Sequence, residues 1–180
     1  VSNKPALERL YIENNSLSSL DLTSNTALMD LKCSENSLTT LDVTNNTALT
    51  NLNCHTNSLS SINVTNNTAL TKLTCQVNGI TSIDVSGLPV LTELSCYSNE
   101  LTSVNAANGN NTNFTFFYAN DNPDLACIEV DDVPYTANWT AGAFAFDPAS
   151  SFSEDCQTFM GIKHISKKQI NIFPNPTEGI

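Results

Sequence analysis

An asparagine returns every 21 residues along the chain, at Asn15, Asn36, Asn57, Asn78 and Asn99, and once more at Asn122 after an insertion. Segments beginning at Ala6, Ala27, Ala48, Ala69 and Val90 align without gaps around that column, and a sixth begins near Asn113. The second repeat position reads Leu7, Leu28, Leu49, Leu70, Leu91 and Phe114; the fifth reads Leu10, Leu31, Leu52, Leu73, Leu94 and Phe117. The seventh is Ile12, then Cys33, Cys54, Cys75 and Cys96, then Ala119. A copy this short cannot bury its own apolar face, so the copies must stack on one another.

Inside each copy, positions five and seven alternate with polar residues, as in a short strand with one side inward. The asparagine at position ten then falls where the chain turns off the strand. Its amide can bond backbone groups that the turn leaves unpaired, which predicts a structural ladder of Asn15, Asn36, Asn57, Asn78, Asn99 and Asn122. Apolar residues recur at positions twelve, fifteen and seventeen, as in Leu38, Leu41 and Val43 or Leu59, Ile62 and Val64. The last pair brackets one polar residue and is often β-branched, which favours a second strand over a helix. The expected fold is mostly β: a solenoid of about six coils with two parallel sheets, joined at Asn-Asn-Thr corners such as residues 45–47 and 66–68. At the usual strand spacing the stack is about 25–30 Å long.

The string L-x-x-L-x-C-x-x-N-x-L resembles a leucine-rich repeat with cysteine in place of its third leucine, over residues 6–133. The resemblance implies a non-catalytic module that binds or adheres to a protein or glycan through a concave sheet. After Val130 the period fails, and residues 131–160 carry the only tryptophan, Trp139, with Tyr135, Phe144, Phe146, Phe152 and Phe159. Residues 134–160 are therefore expected to cap the open end of the core. Residues 1–5 are too few to cover the first coil. This motivates a second expectation, a structural extracellular protein that self-associates end to end into a fibre or surface layer, since a head-to-tail contact that does not close makes filaments.

The cysteines fall into two classes. Cys33, Cys54, Cys75 and Cys96 point inward from adjacent strands, where a free thiol acts as a small hydrophobe. A zinc site needs four sulfurs converging at about 2.3 Å from the metal, whereas a column at strand spacing spans about 14 Å. They are expected to form a buried, reduced ladder. Cys127 and Cys156 lie off the ladder with 28 residues between them, and in an exported protein they are expected to form a disulfide.

Charge narrows the partners. The chain holds 7 basic and 18 acidic residues, a net charge of −11, which disfavours nucleic acid. No apolar run is long enough for a membrane-spanning helix. Asn and Thr, 25 and 21 in number, supply the polarity that charged residues do not. No signal peptide stands at Val1, so any export leader is expected to have been removed or to lie outside this fragment. Beyond a polar linker over residues 161–170, the string I-x-I-F-P-N-P-T-x-G resembles the start of the C-terminal sorting domain of type IX secretion. Phe173, Pro174, Asn175, Pro176, Thr177 and Gly179 carry the match, and residues 171–180 would be its truncated opening. That resemblance implies the type IX secretion machinery as a partner, and release or anchoring at the outer-membrane surface of a Gram-negative bacterium.

Positions four, six and eight of each strand should face solvent and make one concave surface, with Ser34 and Ser95 among them. Exposed aromatics with polar handles give contact area, so the binding residues expected there are Tyr11, Lys32, His55, Gln76, Tyr97 and Tyr118. His55 has no nucleophile or metal-ligand pattern near it in sequence, so no catalytic residue, metal or cofactor is expected. Asp121, Asp124, Glu129, Asp131 and Asp132 lack the spacing and glycine of a calcium loop and read as a solvated acidic rim.

Overall fold

In the computed structural model, which describes residues 3–159, the chain winds into a β-solenoid. The linker and sorting-domain string, residues 161–180, lie outside the described residues. Eleven short strands run in chain order: β1 (Arg9–Tyr11), β2 (Asp30–Lys32), β3 (Asn51–Asn53), β4 (Lys72–Thr74), β5 (Ser82–Asp84), β6 (Glu93–Ser95), β7 (Ser103–Asn105), β8 (Phe116–Tyr118), β9 (Cys127–Glu129), β10 (Phe144–Ala145) and β11 (Ser151–Ser153). They form a 7-stranded sheet in the order β1-β2-β3-β4-β6-β8-β10 and a 4-stranded sheet in the order β11-β9-β7-β5. Pairing is parallel and in register, so that Leu10, Leu31, Leu52, Leu73, Leu94 and Phe117 lie side by side facing inward. They join Leu28, Leu49, Leu70, Val43, Val64 and Val85 in one continuous core.

Two features refine the expected solenoid. The second sheet does not run the length of the stack. It starts only at β5, and before it the corresponding segments share a single bridge between Asp42 and Asn63. Packing changes in the same direction but not coil by coil: of the early coils Leu20 and Ile62 are half-buried and Leu41 is buried, whereas Ile83, Val104 and Ile128 are all sealed in the later ones. The winding also outlasts the leucine pattern, because β10 and β11 add one strand to each sheet from within residues 134–160. The long sheet thus counts a seventh strand beyond the expected six coils.

The first corner of every coil turns through a left-handed residue at position nine. Asn14, Glu35, Thr56, Val77, Ser98 and Asp121 all have φ between 51° and 56°, a conformation that costs an L-residue about 1–2 kcal/mol. The asparagine that follows holds the turn. Asn57 Nδ2 donates to the carbonyls of Cys33, Cys54 and His55, and its Oδ1 accepts the Leu38 amide from the preceding coil. Asn36, Asn78, Asn99 and Asn122 repeat this arrangement, while Asn15, on the first coil, donates only to Ile12 and Glu13.

The second corner carries a further ladder that the repeat alignment did not single out. Asn46 Nδ2 donates to the carbonyls of Leu22 and Asn25, and Asn67 Nδ2 to those of Val43 and Asn46, both fully buried. In the next coil Leu88 takes the same place, with the same backbone turn bonds and no side-chain donor. Just before this corner, Asp42 Oδ1 accepts both the amide and the hydroxyl of Thr44. The hydroxyl bond first, then the amide bond, hold its carboxyl below the usual range.

At the C-terminal end Trp139 stacks on Phe144, with ring centroids 5.2 Å apart, and meets Phe114, Phe117, Phe146 and Phe152 edge-on or stacked. Cys127 and Cys156 form a disulfide that ties β9 to the short helix Cys156–Phe159. Closing a loop of this length stabilises by roughly 3–4 kcal/mol on a chain-entropy account. Asp147 completes the end chemically. In inner coils the amides at positions nine and ten donate to carbonyls of the following coil, as Glu35 and Asn36 do to His55 and Thr56. For Asp121 and Asn122 the two oxygens of the Asp147 carboxylate take the place of those carbonyls, at 2.9 and 2.7 Å.

Candidate functional site

The outward side of the long sheet is set by the alternation of its strands and by register. One row runs Arg9, Asp30, Asn51, Lys72, Glu93, Phe116; the next runs Tyr11, Lys32, Asn53, Thr74, Ser95, Tyr118. Ser34 and Ser95, expected to face solvent, are instead each only 2% exposed. Ser95 ends β6 and Ser34 lies two residues beyond β2.

The six expected binding residues do not form one site. Tyr11 and Lys32 make a pair at the first edge: the Lys32 ammonium sits 4.6 Å from the centre of the Tyr11 ring. The Tyr11 hydroxyl donates to Asp30 at 2.5 Å, and that bond, with the carboxylate's charge, raises the phenol above its ordinary pKa. Asp30 also accepts from Asn51. His55 lies between the two ends, its Nδ1 2.9 Å from the Thr56 hydroxyl. Gln76, Tyr97 and Tyr118 come together near the capped end, where they line a shallow groove of about 340 Å³ with Lys72, Leu73, Thr74, Glu93, Ser95 and Phe116.

Sequence reasoning did not single out Lys72, Glu93 and Phe116 as site residues. Lys72 and Glu93 pair across adjacent strands at 2.6 Å, with both side chains partly exposed; an exposed pair adds about 0–1 kcal/mol to stability, but it fixes a donor and an acceptor on the groove wall. Their signal was present, as opposite charges one period apart at position four. Phe116 lies with its ring centroid 4.0 Å from that of Tyr118, and Tyr97 meets Tyr118 edge-on at 6.5 Å. The Tyr118 hydroxyl donates to the Gly142 carbonyl of the cap. The Tyr97 hydroxyl and the Gln76 amide have no hydrogen-bond partner among the described residues, and Gln76 Oε1 is shut off from solvent.

Beneath this face the four ladder thiols are buried and unpaired, and Cys75 Sγ lies 3.6 Å from the Ser95 carbonyl. Burial pushes the Cys33 thiol up to about 12, and Cys54, Cys75 and Cys96 upward as well, so none is a ready nucleophile. Among the described residues no group of three or more His, Cys, Asp or Glu is placed to hold a metal ion. Of the acidic rim, Asp131 accepts the amides of Gly109 and Asn111.

No protein-family model and no curated protein matches the chain. Among solved structures it is similar to the functional domain of InlJ from Listeria monocytogenes, which includes a cysteine ladder: 31% identity, TM-score 0.50, covering 69% of this chain and 34% of that one. This chain has a leucine-rich-repeat-like solenoid fold. It spans about a third of the length of that neighbour.

Proposed function

We propose that the chain is a secreted or cell-surface, non-catalytic leucine-rich-repeat module that binds or adheres to a protein or glycan through the outer face of its long sheet. The observation that carries this reading is the groove at Tyr97, Phe116 and Tyr118. It gathers half-exposed aromatic surface and uncommitted polar groups on a rigid, in-register sheet. The Cys127–Cys156 disulfide supports folding in an oxidising compartment, and no helix among the described residues is long and apolar enough to cross a membrane. Export by type IX secretion to the outer-membrane surface of a Gram-negative bacterium rests on the resemblance of residues 171–180 and is part of the same proposal.

The test is a screen of surface proteins and glycans against the immobilised chain, repeated with the double variant Tyr97→Ala, Tyr118→Ala. The expected result is at least a tenfold loss of affinity, with the thermal midpoint tracked because Tyr118 also anchors Gly142. A ligand that binds a folded double variant unchanged removes the sheet face from the reading. Mass in solution that grows in linear steps with concentration favours the stacking, structural role instead.

A further inference from the structure

We infer that the groove takes a neutral saccharide rather than a charged ligand or a protein loop. This rests on the sheet-face reading and narrows its ligand class. Three features of the groove point the same way.

Charge comes first. The groove wall carries one cation and one anion, Lys72 and Glu93, already paired with each other at 2.6 Å. An anionic ligand would have to compete with Glu93 for the only ammonium while approaching a body of net charge −11. A cationic ligand would have to break the same pair from the other side. A neutral ligand leaves the pair intact and uses its outer lone pairs and N–H groups.

Shape comes second. At about 340 Å³ the groove is at the small end of the range for small-molecule sites, roughly 300–1,000 Å³. Of the residue types that dominate protein hot spots it holds tyrosine but neither Trp nor Arg. The aromatic groups are Tyr97, Phe116 and Tyr118 on adjacent coils, a short apolar platform with polar edges. A pyranose ring has the matching construction: an apolar C–H face to lie on an aromatic ring, and an equator of hydroxyls.

Unspent hydrogen bonding comes third. Tyr97 and Gln76 line the groove, and the Tyr97 hydroxyl and Gln76 Nε2 have no hydrogen-bond partner among the described residues. A ligand hydroxyl, which both donates and accepts, can pair with these two groups, and an apolar peptide side chain cannot.

The experiment uses the intact chain and calorimetric titration, with ligand-observed NMR, against soluble oligosaccharides. The neutral arm holds gluco-, manno-, xylo- and N-acetylglucosamine series; the anionic arm holds oligogalacturonates and sulfated dextran. The expected result is binding of at least one neutral series, weakened tenfold or more by Tyr97→Ala and several-fold by Gln76→Ala, with a smaller loss for Tyr97→Phe. The conservative variant and Gln76→Ala keep the test alive if Tyr97→Ala does not fold. Failure of every neutral series at millimolar concentration, tighter binding of the anionic arm, or indifference to both Tyr97→Ala and Gln76→Ala overturns the inference. If a protein ligand depends on Tyr97 and Tyr118 while no saccharide binds or competes, the saccharide inference falls and the sheet-face reading stands. If nothing depends on those tyrosines, both fall.

Discussion

At the first corner of each coil a left-handed residue precedes an asparagine that, from the second coil onward, donates to three carbonyls and accepts one amide. At the second corner no residue of the first four coils is left-handed, Gly109 (φ 75°) in the fifth being the exception, and Asn46 and Asn67 only donate, their buried Oδ1 atoms having no partner. The two corners also differ in tolerance. The first keeps asparagine in all six copies, while the second accepts Leu88. A corner that strains the backbone must be held from both sides by one side chain. A relaxed corner needs only its carbonyls covered, and a hydrophobe in the same space can take the position.

Alkaline pH should break this symmetry most strongly, because the thiol column lies under the first corner and the facing positions at the second corner are the valines Val43, Val64 and Val85. Folded thiols are held far above the ordinary value of about 8.5 by burial, Cys33 to about 12. The unfolded chain therefore releases protons that the folded chain keeps. The stability is fully present below about pH 8.5 and is lost as pH climbs toward 12, by up to about 1.4 kcal/mol per pH unit for each thiol. Denaturant midpoints measured at pH 8, 9 and 10 should fall progressively, and the slope should shrink in Cys54→Ala. A midpoint that stays level would show that the thiols are already ionised or exposed.

Next in size is the contrast between the two ladders. Asn57→Ala leaves the Leu38 amide without an acceptor, while the Cys33 and Cys54 carbonyls keep the Asn36 and Asn78 side-chain donors, and should cost about 2–3 kcal/mol. Asn67→Ala orphans no group, because the Asn46 and Leu49 amides still reach the Val43 and Asn46 carbonyls, and should cost about 0.5–1.5 kcal/mol, and Asn67→Leu, which copies Leu88, less than about 1 kcal/mol. Equal losses at 57 and 67 by chemical denaturation would erase the distinction drawn between the corners.

The smallest effect has the opposite sign. Val77 is β-branched, exposed and held at φ 55°, where valine is a poor fit and asparagine is tolerated. Val77→Asn should stabilise by about 1 kcal/mol. No gain in the thermal midpoint would mean that the side chain contributes packing that its exposure does not reveal.

How far these features can be read from the sequence depends on whether chemistry repeats with position. The asparagine at position ten, the cysteines at position seven and the off-ladder pair Cys127 and Cys156 stand out because one residue type serves one geometry in coil after coil. The left-handed position nine is hidden, since Thr56 and Val77 occupy a conformation their side chains argue against. The second asparagine ladder is hidden by Leu88, which keeps the backbone turn and drops the donor. Strands β10 and β11 are invisible to a leucine pattern because aromatic side chains fill that part of the core. At the groove, Tyr97 and Tyr118 are legible as outward aromatics, but their convergence with Lys72, Glu93 and Phe116 comes from register between coils, which the alignment displays only when rows are read across strands.

The placement of Trp139 has an optical consequence. It is the chain's only indole and lies wholly within the terminal aromatic cluster, against Phe114, Phe117, Phe144, Phe146 and Phe152. In a molecule whose coils touch only their neighbours, the two ends can open separately. Tryptophan emission therefore watches one end of a rod, and the coils around Leu10 and Leu31 can fray without changing it. The far-ultraviolet dichroism, which averages over all coils, reports that loss. A gap between the two melting curves would measure how far cooperativity reaches along the stack.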